Sequence, residues 1–89
     1  MMGNAGVREL LSALSAKITA RLRSAYRQGA FRHVNARPGL AAGIEIRGDG
    51  PGARLVVRIT GAGAGTAWII EGFVRDILGD AEFTLECRA

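Results

Sequence analysis

Cysteine is almost absent from this 89-residue chain. Cys87 is the only one, which excludes an internal disulfide. A domain of this size buries only about 60% of the surface that its unfolded chain exposes, and disulfides, metals or self-association often supplement so small a core. His33 is the only histidine and lies far from Cys87 in the sequence, so no metal site is predicted. Self-association is therefore the remaining way to supplement the stability of so small a core.

Long apolar runs are also absent. The longest uncharged segment, residues 59–70, is interrupted by glycines and falls short of the ~20 residues that a membrane helix needs. The first ten residues lack the apolar stretch of a signal peptide. Together with the single thiol, these absences predict a cytoplasmic protein without a transmembrane segment.

Residues 54–78 have the most regular pattern in the chain. Hydrophobic and polar residues alternate over residues 54–60, as in a strand with one buried face. Residues 61–65 read GAGAG, and apolar residues then recur at helical spacing over residues 66–78. A strand, a glycine-rich loop and a helix are predicted in that order.

A longer amphipathic helix is predicted over residues 5–28. Its apolar residues stay on one stripe until Gly29, a residue typical of the position after a helix C-terminus. Such a helix would be roughly 36 Å long, whereas a strand of seven residues spans about 23 Å. We therefore expect the helix to extend beyond its sheet and to leave apolar side chains exposed for a partner.

Two more strands are predicted, over residues 40–47 and 81–87. The turn GDGPG joins residues 40–47 to residues 54–60 as an antiparallel hairpin. Two arginines and two glutamates, each pair four residues apart, place the last strand beside residues 54–60. The crossover through the second helix makes these two strands parallel and puts that helix on the apolar face. The matching charges are those of Arg54, Arg58, Glu82 and Glu86.

The predicted fold is therefore one small α+β domain over residues 1–89, in the order helix, strand, strand, helix, strand. It is a two-layer sandwich in which both helices pack on one face of a three-stranded mixed sheet. In the hairpin, we expect Glu45 opposite Arg54, because Arg47 in that position would bring like charges together.

The connector between the first helix and the hairpin has a weaker pattern. Phe31, His33 and Asn35 alternate as in a short edge strand, and Pro38 and Gly39 would end it. We therefore expect a short strand over this segment.

Trp68 falls on the side of the second helix opposite its apolar stripe, in line with Glu71, Arg75 and Leu78. An exposed Trp beside a Leu is typical of an interface anchor, since buried aromatics dominate binding hot spots. The alternative is that Trp68 packs beneath the connector or the end of the first helix. These four residues are the candidate partner interface.

Acidic residues are absent between Leu10 and Ile44. The first 44 residues carry seven cations and one acid, a net charge of +6, whereas residues 45–89 carry five cations and seven acids, a net charge of −2. Such a basic block attracts polyanions, although ordinary solvated charge is the alternative. The candidates for contacts to nucleic-acid phosphates are Arg21, Arg23, Arg27, Arg32 and Arg37. Base stacking is not expected, because the predicted open face of the sheet has no aromatic residue.

The glycine-rich loop, Gly61 to Gly65, lies between a strand and a helix, as phosphate-binding loops do. It lacks the third glycine of a dinucleotide fingerprint and the lysine of a P-loop, so a turn with Thr66 as helix N-cap is favoured. Cys87 is predicted on the inward face as a small hydrophobe. No catalytic residue, metal ligand or cofactor is predicted.

The leading hypothesis is a small non-enzymatic interaction module that forms a homo-oligomer or binds a larger protein. Its surface would combine the extended end of the first helix with the Trp68 side of the second. The alternative is a basic nucleic-acid-binding domain that contacts the phosphate backbone. A remoter hypothesis is nucleotide binding at Gly61 to Gly65.

Overall fold

The computed structural model describes residues 4–89, with side chains from residue 6 onward. Within these residues, two helices and three strands follow one another in the predicted order. The elements are α1 (Asn4–Arg27), β1 (Ala36–Arg47), β2 (Arg54–Ala62), α2 (Ala67–Leu78) and β3 (Phe83–Arg88). Short 3₁₀ turns at Gly50–Gly52 and Ala64–Thr66 precede β2 and α2.

The three strands form a mixed sheet with β2 in the middle. β1 is antiparallel to β2, and β3 is parallel to it. Arg58 of β2 lies opposite Glu86 of β3, as the matching charges predicted. Arg54 has no such partner, because the first pair of these strands joins Leu55 to Phe83 and Glu82 precedes it. Both helices cover one face of this sheet, which confirms the predicted α+β fold.

The core lies between the two helices and the sheet face that they cover. Full burial of an aliphatic side chain stabilises a fold by about 1.5–3 kcal/mol relative to exposure, and this core contains few such side chains. Its fully buried members are Ile18 and Leu22 of α1, Leu40 of β1, Val57 and Ile59 of β2, and Ile70 and Val74 of α2, with Ala62 at the end of β2.

The first turns of α1 expose apolar side chains, as the helix length predicted. Leu10 is 59% exposed and Val7 is also exposed. Ile46, near the end of β1, is exposed too. The described residues measure 45 × 22 × 21 Å, so the molecule is elongated.

The connector does not form the predicted edge strand over Phe31, His33 and Asn35. Residues 28–33 form turns instead. Phe31 is buried, and its ring centroid lies 6.4 Å from that of Tyr26 and 5.9 Å from that of Phe73. Aromatic packing against both helices therefore overrides the alternating pattern of this segment.

β1 begins at Ala36, four residues before its predicted start at residue 40. Its pairing with β2 is irregular between Ala36 and Ala41, the stretch that contains Pro38, which an edge strand tolerates. Gly61 faces this irregular stretch with φ +90°, and a Cβ atom there would lie 3.3 Å from the Leu40 Cα. The close backbone approach therefore requires glycine at this position.

The predicted pairing of Glu45 with Arg54 is wrong. Arg47 lies opposite Arg54, and Glu45 lies opposite Val56. The like charges are tolerated because the Arg47 guanidinium extends across β2 to Glu86 on β3, with 2.7 Å between Nη1 and Oε2. The long side chain of Arg47 thus forms its ion pair with a carboxylate two strands away.

Candidate interaction surface

α2 places its apolar residues on the sheet and leaves its other side to solvent. Ile70 and Val74, one helical turn apart, are fully buried. Trp68 lies on the opposite side and is 72% exposed. The connector does not cover it, since the connector's aromatic residue, Phe31, packs against Phe73 on another side of α2. A large aromatic side chain therefore remains in water.

Arg75 links the exposed side of α2 to β3. Its Nη2 donates to Glu71 Oε1 at 3.1 Å, one helical turn earlier. Its Cζ lies 5.0 Å from the ring centroid of Phe83, a cation–π contact. Arg75, which shares this side of α2 with Trp68, therefore lies over β3. Of the four predicted interface residues, Trp68, Glu71 and Arg75 lie together there, whereas Leu78 packs partly against the core.

The outer edge of β1 is covered by polar side chains of α1. Ser15 Oγ accepts a hydrogen bond from the Ile44 N–H at 3.0 Å. Thr19 Oγ1 accepts one from the Ala42 N–H at 2.9 Å. One turn further along the helix, Arg23 Nε donates to the Leu40 carbonyl at 2.8 Å. Three side chains at intervals of four residues thus satisfy alternate backbone groups of this edge strand.

These hydrogen bonds fix the direction of the backbone groups across the sheet. Because Ala42 and Ile44 direct their N–H groups toward α1, Gly43 between them bonds to β2, where it lies opposite Arg58. Backbone groups alternate in direction along a strand, so those of Val57, the neighbour of Arg58, are directed toward β3. Val57 therefore bonds to β3, on either side of its partner Leu85. Three residues of β3 consequently direct their backbone N–H and C=O groups away from the sheet: Phe83, Leu85 and Cys87.

The outer edge of β3 is the open edge of the sheet. Within residues 4–89, no strand pairs with it. Unpaired backbone groups on an edge strand are a template for another strand, and proteins commonly cover or block them. The sequence gives little sign of this difference between the two edges, because Ser15 and Thr19 resemble ordinary solvated residues of a polar helix face.

Two of the five candidate arginines are engaged within the molecule. Arg21 Nη2 lies 3.7 Å from Asp76 Oδ2, and Arg21 Cζ lies 5.2 Å from the ring centroid of Phe73. Arg21 therefore joins α1 to α2. Arg23, through its bond to the Leu40 carbonyl, holds α1 on the edge of β1. Both guanidinium groups are thus partly occupied by structural contacts.

The other three candidates, Arg27, Arg32 and Arg37, are exposed. They lie at the end of α1, in the connector and near the start of β1, which follow one another directly along the chain. None of the three forms an ion pair with the side chains that the structure describes. The structure thus keeps part of the basic block as a free cationic surface.

The outer face of the sheet carries an ion-pair network around Arg47. Its Nη1 and Nη2 donate to the two carboxylate oxygens of Glu86 at 2.7 and 3.0 Å, and its Nε and Nη2 donate to Glu45 Oε1 at 2.9 and 2.7 Å. Arg58 Nε is 3.9 Å from Glu86. The hydrogen bonds from Arg47 lower the pKa of Glu86. Val56 of β2, which is fully buried on this face, lies between the strands that carry Arg47 and Glu86.

The glycine-rich segment and Cys87 have structural roles. Thr66 is buried at the N-cap position of α2, but its hydroxyl donates to the Gly63 carbonyl at 2.6 Å, so the predicted side-chain cap is not formed. Cys87 is half-buried, and burial raises the pKa of its thiol. A protonated thiol is a poor nucleophile and a poor metal ligand.

Among the side chains of residues 6–89, no three His, Cys, Asp or Glu residues are placed to hold a metal ion. None of the helices in the described part of the chain has both the length and the apolarity that crossing a membrane requires. Comparison of the chain with protein-family models, with curated proteins and with solved structures finds no match. The function is therefore inferred from the geometry of these surfaces.

Proposed function

We propose that this chain is a small non-enzymatic interaction module that associates with itself or with a larger protein. Its binding surface is the Trp68 side of α2 together with the adjacent outer edge of β3. The observation that carries the proposal is the 72% exposure of Trp68, on the side of α2 from which Arg75 contacts Phe83 of the edge strand β3.

Two properties of this surface and one property of the whole domain support binding. Trp and Arg are the residues most enriched in interface hot spots, and Trp68 and Arg75 lie on the same side of α2. The open edge of β3 offers main-chain hydrogen bonds of the kind used when a partner strand is added to a sheet. The small core also leaves this domain with little stability to spare, and a bound partner adds stability by mass action.

Analytical ultracentrifugation and capture of cross-linked partners test this function. We expect the wild-type chain to self-associate or to capture a partner, and Trp68→Ser to weaken that association. Leu10→Ser is the matched comparison, because it also removes an exposed apolar side chain but lies on α1. A wild-type chain that is monomeric at every concentration and captures no partner would contradict the proposal. Loss of association in Leu10→Ser but not in Trp68→Ser would move the surface to α1.

The second candidate function is binding to the phosphate backbone of nucleic acid. It is supported by the exposed position of Arg27, Arg32 and Arg37, together with the absence of acids between Leu10 and Ile44. It is weakened by the engagement of Arg21 and Arg23 in structural contacts.

Fluorescence anisotropy with a labelled duplex and a labelled single strand at low salt tests this candidate. Binding should fall steeply as salt is added, because phosphate contacts release counterions. Replacing Arg27, Arg32 and Arg37 by Gln should abolish the binding, whereas Arg54→Gln, which removes an exposed arginine elsewhere, should not. Absence of binding by the wild-type chain at low salt would exclude this function.

A further inference from the structure

We propose that the partner at the open edge of β3 is a second copy of this chain, and that the two β3 strands pair antiparallel about a two-fold axis at Leu85. This inference rests on the proposed function and adds to it the identity of the partner and the register of the pairing.

The backbone groups of β3 fit this register. The outward-directed residues of one strand must face outward-directed residues of the other for the main chains to bond. With the axis at Leu85, this residue faces Leu85 of the partner subunit, and Phe83 faces Cys87 of the partner subunit. All three outward-directed residues of each strand are then hydrogen-bonded.

The charges of β3 fit the same register. Glu82, the residue just before β3, faces Arg88 of the partner subunit, and the symmetry forms this pair twice. Thr84 faces Glu86 of the partner subunit, which is a neutral residue opposite a charged one. Opposite charges directly across a strand pair stabilise it, and like charges destabilise it. β3 is therefore complementary to itself in this register.

The neighbouring registers are disfavoured by the same rule. An axis at Thr84 would place Glu82 opposite Glu86 of the partner subunit, and an axis at Glu86 would place the two Glu86 carboxylates opposite each other. Both registers would therefore place like charges directly opposite each other across the strand pair. Registers displaced further pair fewer of the residues in this six-residue strand.

The exposed side of α2 adds to the contact. α2 runs opposite to β3, because it connects two parallel strands. Arg75 lies over Phe83, so Trp68, two helical turns earlier, lies near the level of Cys87. Cys87 faces Phe83 of the partner subunit, which brings Trp68 to the level of Arg75 of the partner subunit.

Charge-reversal variants test the pairing. Glu82→Arg or Arg88→Glu alone turns both attractive pairs into repulsive ones, so we expect the dimer dissociation constant to rise about tenfold or more. The double variant, Glu82→Arg with Arg88→Glu, should restore the wild-type constant. An equimolar mixture of the two single variants should form the heterodimer in preference to either homodimer. Asp80→Arg, a charge reversal just before β3, is the control and should leave the constant unchanged.

Sedimentation velocity and native mass spectrometry give these constants, and hydrogen exchange gives a second readout. Amide protection of Phe83, Leu85 and Cys87 should increase with protein concentration, whereas Thr84 and Glu86 should be protected at every concentration by their bonds to β2.

A dimer that is unchanged by both single variants would overturn this register and leave the proposed function in place. A mixture that forms no preferred heterodimer would overturn the Glu82 to Arg88 pairing. A wild-type chain that stays monomeric would overturn the inference as a whole, and the proposed function would then depend on the capture of a larger partner that Trp68→Ser weakens.

Discussion

Arg47 extends across the outer face of the sheet from β1 to β3. It donates hydrogen bonds to Glu45 on its own strand and to both oxygens of Glu86 on the far strand. Between these residues lies Val56, whose side chain is fully buried although the face carries no helix. The stems of long charged side chains can cover apolar surface in this way while their heads stay in water.

Removal of the Glu86 charge should make stability depend less on pH. Arg47 lowers the pKa of Glu86 in the folded chain, so Glu86 contributes stability above its ordinary pKa, and this contribution is lost as the pH falls through the lowered value. We expect Glu86→Gln to unfold more easily than wild type at neutral pH, and the difference to shrink below about pH 4. Urea unfolding at a series of pH values measures it.

Asp80→Asn is the control for this experiment, because it removes an exposed carboxylate just before β3 that takes no part in the proposed pairing. Its difference from wild type in free energy of unfolding should be small and independent of pH. A pH-independent effect of Glu86→Gln would contradict the role of its charge.

At Gly61, backbone geometry restricts the choice of side chain. Its φ of +90° and the 3.3 Å approach of the Leu40 Cα make any Cβ atom unfavourable. We expect Gly61→Ala to lower the free energy of unfolding by about 1–3 kcal/mol. Chemical denaturation measures this change.

Gly63→Ala provides the comparison. Gly63 has φ −77° and open space around the position of a Cβ atom. Its replacement by Ala should change the free energy of unfolding by less than about 1 kcal/mol, in the stabilising direction. Equal effects of the two substitutions would show that strain at Gly61 is not the cause.

At this scale the sequence predicted one charge pair and missed another. Arg58 and Glu86 are direct neighbours on adjacent strands, which is the distance at which pairing rules apply. Arg47 was misplaced because those rules consider only the nearest residue on the next strand. A guanidinium on a long flexible stem can bypass that residue, as Arg47 does in contacting Glu86.

At the scale of elements, α1 acts both as a core helix and as a cover for the edge of β1. Its apolar stripe contributes Ile18 and Leu22 to the core, and its Ser15 and Thr19 hydroxyls bond to β1. The helix therefore contacts the sheet through two of its sides. Only the apolar side has a periodic signal in the sequence.

Thr19→Val should leave a backbone N–H on the outer edge of β1 without an acceptor, with little change in the size of the side chain. The Ala42 N–H loses its acceptor, so we expect a loss of about 1–2 kcal/mol in free energy of unfolding and faster hydrogen exchange at that amide. Thr19→Ser retains the hydroxyl and should retain both properties. Ser12→Ala, which removes an exposed hydroxyl of the same helix, should have an effect within about 0.5 kcal/mol.

The connector shows why the environment of Trp68 was not predictable. Helical spacing placed Trp68 opposite the core but could not show which residues lie above it. Phe31 settles this point, because it packs between Tyr26 and Phe73 and holds the connector away from Trp68. Such contacts between distant residues have no periodic signal in the sequence.

At the scale of the whole molecule, the order of elements was predictable because each has its own period. Alternation over β2 and helical spacing over α2 define the central unit, and the handedness of its crossover then fixes the covered face. The two edges of the sheet were not distinguished, since edge exposure depends on where α1 lies.

Thermal stability should depend on protein concentration if two copies associate. Dimerisation stabilises the folded state by mass action, so we expect the melting temperature to rise by a few degrees for each tenfold increase in concentration. Trp68→Ser should melt at a temperature that is nearly constant over the same range. Differential scanning calorimetry measures both. A wild-type melting temperature that does not change with concentration would contradict self-association.

The hydroxyl and guanidinium groups that α1 places along β1 also limit how large an assembly can become. A sheet with two free margins can add chains without end and grow into a fibre, whereas one with a single free margin can accept only one more sheet. The pairing proposed for β3 would use the one free margin of each copy, so its product would be a finite six-stranded particle that cannot elongate.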